Sequence, residues 1–245
     1  MCTVSVIRLR DEVIRVACNR DEQLRRPSAL LPRVSNHGQQ QVIMPIDPSG
    51  GGTWIAASSA GLVMTLLNRN TCGTALPAAK SRGLIIPSVL DCQSLEEAID
   101  RAWNIEASEY GAFRLVVIDG QSVVEVVSSG RAIEEVRMEN DFRSALFTSS
   151  GLGDHLVDAP RRRLWQQMLA TQQMSAAAQD RFHRHSWPDR RDVSVCMNRA
   201  DAKTVSVSTI EMGSERIRFH YHPAAPDVDA ADCLVAIPTG QRVGV

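Results

Sequence analysis

Links of only a few residues join most pairs of consecutive strand candidates in this 245-residue chain, and that feature excludes most of the folds otherwise open to it. Parallel neighbours need a crossover of about a dozen residues or more, so short links leave antiparallel pairing. The first pair is Thr3 to Leu9 and Val13 to Cys18, separated by Arg10-Asp11-Glu12. Trp54 to Ser58 and Leu62 to Leu67 flank Ser59-Ala60-Gly61 in the same way. Phe113 to Ile118, Val123 to Val127, Ala132 to Val136 and Ala145 to Thr148 are joined by links that include the Asp119-Gly120 and Ser129-Gly130 turns. Asp192 to Met197, Thr204 to Met212 and Arg216 to Tyr221 complete the strand candidates.

Helical spacing interrupts the strands twice. Ser81 to Leu90 carries few breakers beyond Pro87, and Ser94-Leu95-Glu96-Glu97 is a capping-box pattern that leads Leu95, Ala98, Ile99, Ala102 and Trp103 onto one helix face. Ala159 to Ala170 and Ser175 to His185 form a second helical pair. The resulting order predicts an α+β chain, a four-layer αββα sandwich of two mainly antiparallel sheets covered by helices. Pro27, Pro32, Pro45, Pro48 and the glycines at 50 to 52 mark a long segment read as loop with at most short edge pieces. Residues 1–222 are expected to form one domain. Residues 223–245, rich in Pro, Ala and Asp around one apolar run from Cys233 to Ile237, are expected to be an extension along its surface.

Charge and cysteine usage narrow the function classes. With 27 basic and 28 acidic side chains the formal charge is −1, so no excess of cations disposes the chain toward nucleic acid or a polybasic membrane surface. Arg161-Arg162-Arg163 is at most a local patch. No apolar run reaches the roughly 20 residues of a membrane span. Arg8, Arg10, Asp11 and Glu12 occupy the place where a signal peptide would be apolar, which points to the cytosol. Cys2, Cys18, Cys72, Cys92, Cys196 and Cys233 include no Cys-x-x-Cys pair and are expected to be reduced thiols. His183 with His185 and His220 with His222 would each share one side of a strand, but neither pair has a clear third ligand. Neither metal nor other cofactor is expected, and no Cys-Pro or Cys-x-x-Cys-His haem motif is present.

Cys2 is the most informative residue for chemistry. A small second residue allows removal of Met1, and the product would have a thiol and a free α-amine on one residue, a nucleophile and its base together. The hairpin folds Asn19-Arg20-Asp21-Glu22 back beside it, where a buried carboxylate can hold an ammonium or orient a thiol. Asn68, at the exit of the Leu62 to Leu67 strand, can donate to a developing oxyanion. Gly51-Gly52-Thr53-Trp54 can close over a cleft, with Trp54 lining an acyl pocket.

Met1-Cys2-Thr3, then Asn19-Arg20-Asp21-Glu22 with Arg26-Pro27, then Gly51-Gly52-Thr53-Trp54, then Gly61-Leu62 leading to Asn68, resemble the NRDE family, also called the transport and Golgi organisation protein two family. That family is similar in turn to N-terminal nucleophile hydrolases of the choloylglycine hydrolase and penicillin V acylase branch. The resemblance implies an αββα fold and cleavage of a non-peptide C–N bond through a thioester. In it Cys2 is the nucleophile, Asp21 positions the amine and thiol, and Asn68 is an oxyanion donor. Asn19, Arg20, Trp54 and Ser150 become candidate substrate-binding residues, and the expected partner is a small amide or acyl compound. Eukaryotic members are connected with haem handling, lipid metabolism and membrane traffic, so a non-catalytic ligand-handling protein is the alternative.

The chain also departs from the branch it resembles. Cys18 stands where the branch has an arginine before the asparagine, and strand alternation aims Arg20 away from the side faced by Asn19 and Asp21. Thr148-Ser149-Ser150 stands where a second asparagine is usual.

Overall fold

The computed structural model describes residues 2–70, 78–172 and 174–240; Met1 and Cys72 lie outside them. Thirteen strands make two antiparallel sheets. The first, of six strands, runs β10 (Ser144–Thr148), β1 (Cys2–Arg8), β2 (Ile14–Gln23), β11 (Ala202–Met212), β12 (Arg216–His222) and β13 (Cys233–Pro238). The second runs in chain order through β3 (Leu30–His37), β4 (Gln40–Ile46), β5 (Ile55–Ser58), β6 (Leu62–Asn68), β7 (Phe113–Ile118), β8 (Ser122–Ser128) and β9 (Ile133–Asn140).

The sheets pack face to face over a core that includes Val4, Val16, Ile55, Leu67, Val116 and Phe219. On the outer face of the seven-stranded sheet, α1 (Ile85–Val89) and α2 (Leu95–Trp103) cover a second core that includes Met64, Leu115 and Val124. α3 (Asp154–Gln172) and α4 (Ala176–Arg184) cover the six-stranded sheet, where Ile7 and Leu146 meet Trp165 and Phe182. The architecture is the expected αββα sandwich. Ser94 Oγ accepts the Glu97 amide at 3.2 Å, and Glu97 returns a carboxylate to the Gln93 amide at 2.8 Å, so the capping signal sets the start of α2. No helix among the described residues is long and apolar enough to cross a membrane.

Three segments differ from the sequence reading. Residues 27–52 contain two paired strands rather than a loop, because β3 is an edge strand and its register slips between Leu30 and Arg33, where Pro32 sits. Pro45 lies beyond the Val42↔Ser58 and Ile43↔Ala57 pairs by which β4 joins β5, so its missing N–H breaks no rung there. β2 runs on to Gln23, past the expected strand end at Cys18, so Asn19 to Glu22 all lie within the strand. Asp192 to Met197 is not a strand: the carbonyls of Val193, Ser194 and Val195 are taken by Arg161 and Asn19 side chains instead of a neighbouring backbone. The apolar run in the C-terminal segment is β13, paired to β12 along Tyr221↔Cys233 to Arg216↔Pro238.

Candidate active site

β1 is an interior strand, flanked by β2 and by the edge strand β10, and this placement organises the site. The register sets Cys2 opposite Arg20 and Thr3 opposite Asn19. Because successive side chains leave a strand on opposite faces, Cys2, Cys18 and Arg20 face the space between the sheets, while Thr3, Asn19 and Asp21 face the helices. Cys2 is 3% exposed and lines a cavity of about 990 Å³ together with Arg20, Trp54 and Asn68. One residue beyond the Thr3↔Thr148 pair, Ser149 grips Cys2: its hydroxyl accepts the Cys2 amide at 3.0 Å and its own amide reaches the Cys2 carbonyl at 2.9 Å.

The thiols of Cys2 and Cys18 form a hydrogen-bonded pair. Cys18 donates, which holds the Cys2 thiol below its ordinary pKa against the opposing effect of burial, with the amino-terminal charge acting in the same direction. Cys18 moves well above its ordinary value, because it is the donor and is buried. Cys18 is thus a hydrogen-bond donor to the Cys2 sulfur. Among the described residues the five cysteines, Cys2, Cys18, Cys92, Cys196 and Cys233, are free thiols.

Arg20 enters the cavity from the same face as Cys2. Its guanidinium lies 4.1 Å from the centre of the Trp54 ring and 2.9 Å from Asp47 Oδ2, so it bridges the sheets at the base of the site. Trp54 is 7% exposed, stacks at a tilt on Tyr221 and leaves its indole N–H buried with no acceptor among the described residues. Asn68 is half-buried at the end of β6 and makes no side-chain hydrogen bond among the described residues. Below it, Asp154 clamps two loops: its carboxylate accepts the amides of Asn70 at 3.0 Å and Ser150 at 2.9 Å.

The remaining candidates lie elsewhere. Asp21 is 1% exposed and accepts the Thr204 hydroxyl at 2.6 Å on the helix side; burial pushes its carboxyl up, opposed by the Arg161 charge. Its charge is felt by Cys2, whose thiol it raises. Asn19 donates to the His183 and Val195 carbonyls and accepts from His183 Nδ1 at 2.9 Å, so it ties α4 and the 193–197 segment to the sheet rather than lining the cavity. Ser150 is turned into its own loop, accepting the Leu152 amide at 3.2 Å, and the neighbouring Ser149 makes the contact to Cys2.

Arg161 is a fully buried cation rather than part of a surface patch, donating to Thr3 Oγ1 at 2.7 Å and to two carbonyls. His183 lies in α4 and His185 just after it, so that pair is not on a strand. His220 and His222 do share a side of β12, where both bond Asp232 at 2.8 and 2.6 Å. Among the described residues no group of three or more His, Cys, Asp or Glu side chains could hold a metal ion.

The class that the fold defines is an αββα sandwich of two antiparallel sheets, with Cys2 at the start of a strand that borders the cleft between them. The chain matches the profile of the Transport and Golgi organisation 2 family over residues 1–214 and belongs to that family. Among solved structures it is similar to a cysteine-to-alanine mutant of a conjugated bile acid hydrolase from Clostridium perfringens, at TM-score 0.57 and 11% identity over 96% of this chain and 92% of that one. It is equally similar, at 0.57 and 12% identity over 85% and 92%, to an N-acylethanolamine-hydrolyzing acid amidase orthologue of Caenorhabditis elegans. An arginine-to-leucine variant of the same bile acid hydrolase matches at 0.54 and 10% identity over 99% of both chains. No curated protein matches the chain.

Proposed function

We propose that this protein is a cysteine amidohydrolase that cleaves a linear, non-peptide C–N bond, with Cys2 as nucleophile. The observation that supports this reading best is that Cys2 and the uncommitted amide of Asn68 line one cavity. Once Met1 is removed, the α-amine of Cys2 takes the thiol proton, and the sulfur attacks the carbonyl carbon to give a tetrahedral oxyanion. Asn68 donates to that oxyanion, an interaction worth about 3 kcal/mol where such donors have been removed from other hydrolases. Collapse breaks the C–N bond, the α-ammonium returns its proton to the leaving amine, and water then hydrolyses the thioester. Asp21 is assigned as the residue that positions the α-ammonium, being a buried carboxylate on β2, the strand that pairs with the Cys2 strand. Arg20 and Trp54 form the cavity wall against which the substrate rests. The free thiols suit a reducing compartment, and we place the protein in the cytosol.

The second reading, a non-catalytic holder of haem or an acyl ligand, is favoured by Cys18 standing where the resembled branch has an arginine. Limiting iodoacetamide at pH 7 followed by intact-protein mass spectrometry separates the two. The hydrolase reading expects loss of Met1 and labelling of Cys2 ahead of the other thiols, and expects Cys2→Ala to fold while forming no acyl-enzyme. A retained Met1, or a Cys2 no more reactive than Cys233, would leave the ligand-holding reading.

A further inference from the structure

Six cationic side chains line the cavity, Arg20, Arg26, Arg69, Lys80, Arg82 and Arg131, and four of them are neutralised. Arg20 and Arg26 share Asp47 and Glu22, Arg69 pairs with Glu134 at 2.5 Å, and Lys80 pairs with Glu109 at 2.5 Å. Arg82 and Arg131 have no carboxylate partner among the described residues. Glu22 and Asp47, the two acids lining the cavity, are already committed to Arg20 and Arg26.

Arg82 is not a loose surface cation. It begins the short 3₁₀ turn Arg82–Leu84, whose Gly83 carbonyl accepts the Thr53 amide at 2.9 Å. Its Nη1 donates to the Ala112 carbonyl at 2.9 Å, which fixes the guanidinium against the 111–112 backbone. Gly111 makes room for it, since a Cβ there would come within 3.2 Å of Nη1. Arg131 follows Gly130, which packs against the same backbone: a Cβ at Gly130 would lie 2.9 Å from the Ala112 nitrogen. The two guanidinium-bearing segments therefore flank one stretch of cavity wall. Burial pulls the Arg82 guanidinium below its ordinary pKa, opposed only by the charge of Glu22, which is itself paired with Arg20 and Arg26. A half-buried charge held in place with no ion-pair partner of its own is a recognition element for an anion.

We infer that the cavity takes a ligand carrying a carboxylate, received by the Arg82 guanidinium with Arg131 beside it. Resting on the hydrolase reading, this makes the substrate an amide with an acidic group remote from the scissile bond, rather than one with a wholly apolar acyl tail. The planar edge of a fixed guanidinium matches the two coplanar oxygens of a carboxylate.

Calorimetric titration of the full chain with glutarate, the neutral isostere glutaramide and inorganic phosphate tests this without any turnover. Glutarate is expected to bind at least 10-fold tighter than glutaramide, with that preference lost in Arg82→Gln and partly kept in Arg82→Lys. Because Arg82→Gln also gives up the bond to Ala112, circular dichroism checks its fold, and Arg131→Gln, expected to weaken glutarate several-fold, provides a second variant that leaves that bond intact. Equal binding of glutarate and glutaramide, or a preference indifferent to both arginines, overturns the inference. Phosphate bound more tightly than glutarate and through Arg82 overturns the carboxylate assignment. Arg82-dependent glutarate binding in a protein whose Cys2 shows no preferential labelling supports the anion site while the hydrolase reading fails.

Discussion

His183 is held neutral by its hydrogen bonds as well as by burial. Asn19 uses its nitrogen on two carbonyls, so its oxygen accepts, which places the ring proton of His183 on Nδ1 and leaves Nε2 to accept the Ser5 hydroxyl at 2.7 Å. Burial, with the Arg15 and Arg161 charges, depresses its pKa to about 3. An unfolded histidine takes up its proton near 6.5, so the stability associated with the neutral ring is complete above that value and is lost as pH falls from there toward about 3. The slope for one proton is at most about 1.4 kcal/mol per pH unit. Urea midpoints measured from pH 7.5 to 4 should therefore fall less steeply in His183→Gln than in the parent; parallel curves would mean that the ring is not the titrating group. The split of the quartet at 19–22 was legible in the sequence, because strand alternation already set Arg20 on the face opposite Asn19 and Asp21. Which face meets the cavity was not, since that depends on how the two sheets pack: Arg20 lines the cavity with Cys2, Trp54 and Asn68, while Asn19 and Asp21 turn to the helices. Arg82 and Asp154 carry no motif, and within Thr148-Ser149-Ser150 the sequence reading takes Ser150, whereas extending the Thr3↔Thr148 register by one residue points to Ser149.

At the scale of elements, the loop after β4 and the 3₁₀ turn at 82–84 make one wall of the cavity through a glycine contact. A Cβ on Gly52 would sit 2.2 Å from the Gly83 carbonyl carbon, too close for any neighbour in backbone to yield cheaply. Gly51 differs: its φ of 66° calls for glycine, but nothing lies within 4 Å of its would-be Cβ. Gly52→Ala is expected to cost about 1–3 kcal/mol or more through overpacking, a fall of roughly 2–10 °C in Tm. Gly51→Ala should cost about 1–2 kcal/mol from the left-handed backbone alone. Thermal melts of the two variants check the order, and a reversed order would show that the wall can open around Gly52. The strands from 113 to 148 were legible because alternation and turn residues agree. Residues 192–197 were misread because Val193, Val195 and Met197 alternate as in a strand, while long-range bonds from Arg161 and Asn19, invisible to local pattern, take up their carbonyls.

Across the whole molecule, β13 joins more than one layer. It completes the edge of the six-stranded sheet, buries Ile237 to 2% exposure in the core between the sheets, and touches β3 and β4 of the other sheet. The His222 ring, raised in pKa because its bonds to Asp232 and nearby carbonyls outweigh burial, tethers the connection that leads to β13. A chain ending at His222 is expected to unfold at a lower urea midpoint and to self-associate through the freed edge of β12. Equilibrium unfolding with light scattering measures both. An unchanged midpoint in a monodisperse sample would make 223–245 a true appendage of the 1–222 domain.

The seven-stranded sheet follows chain order from β3 to β9, so each strand finds its neighbour as soon as it is made. In the other sheet β1 waits for residues 144–148 and β2 for residues 202–212. Such long-range pairings close late, because the entropy of the intervening loop is lost before their contacts form. On an emerging chain the meander can therefore serve as a template onto which the Cys2 strand docks, and the thiol reaches its Ser149 grip only when most of the polypeptide has been synthesised. Assembly order would then give the nucleophile its hairpin neighbour Cys18 early and withhold Ser149 until late in translation.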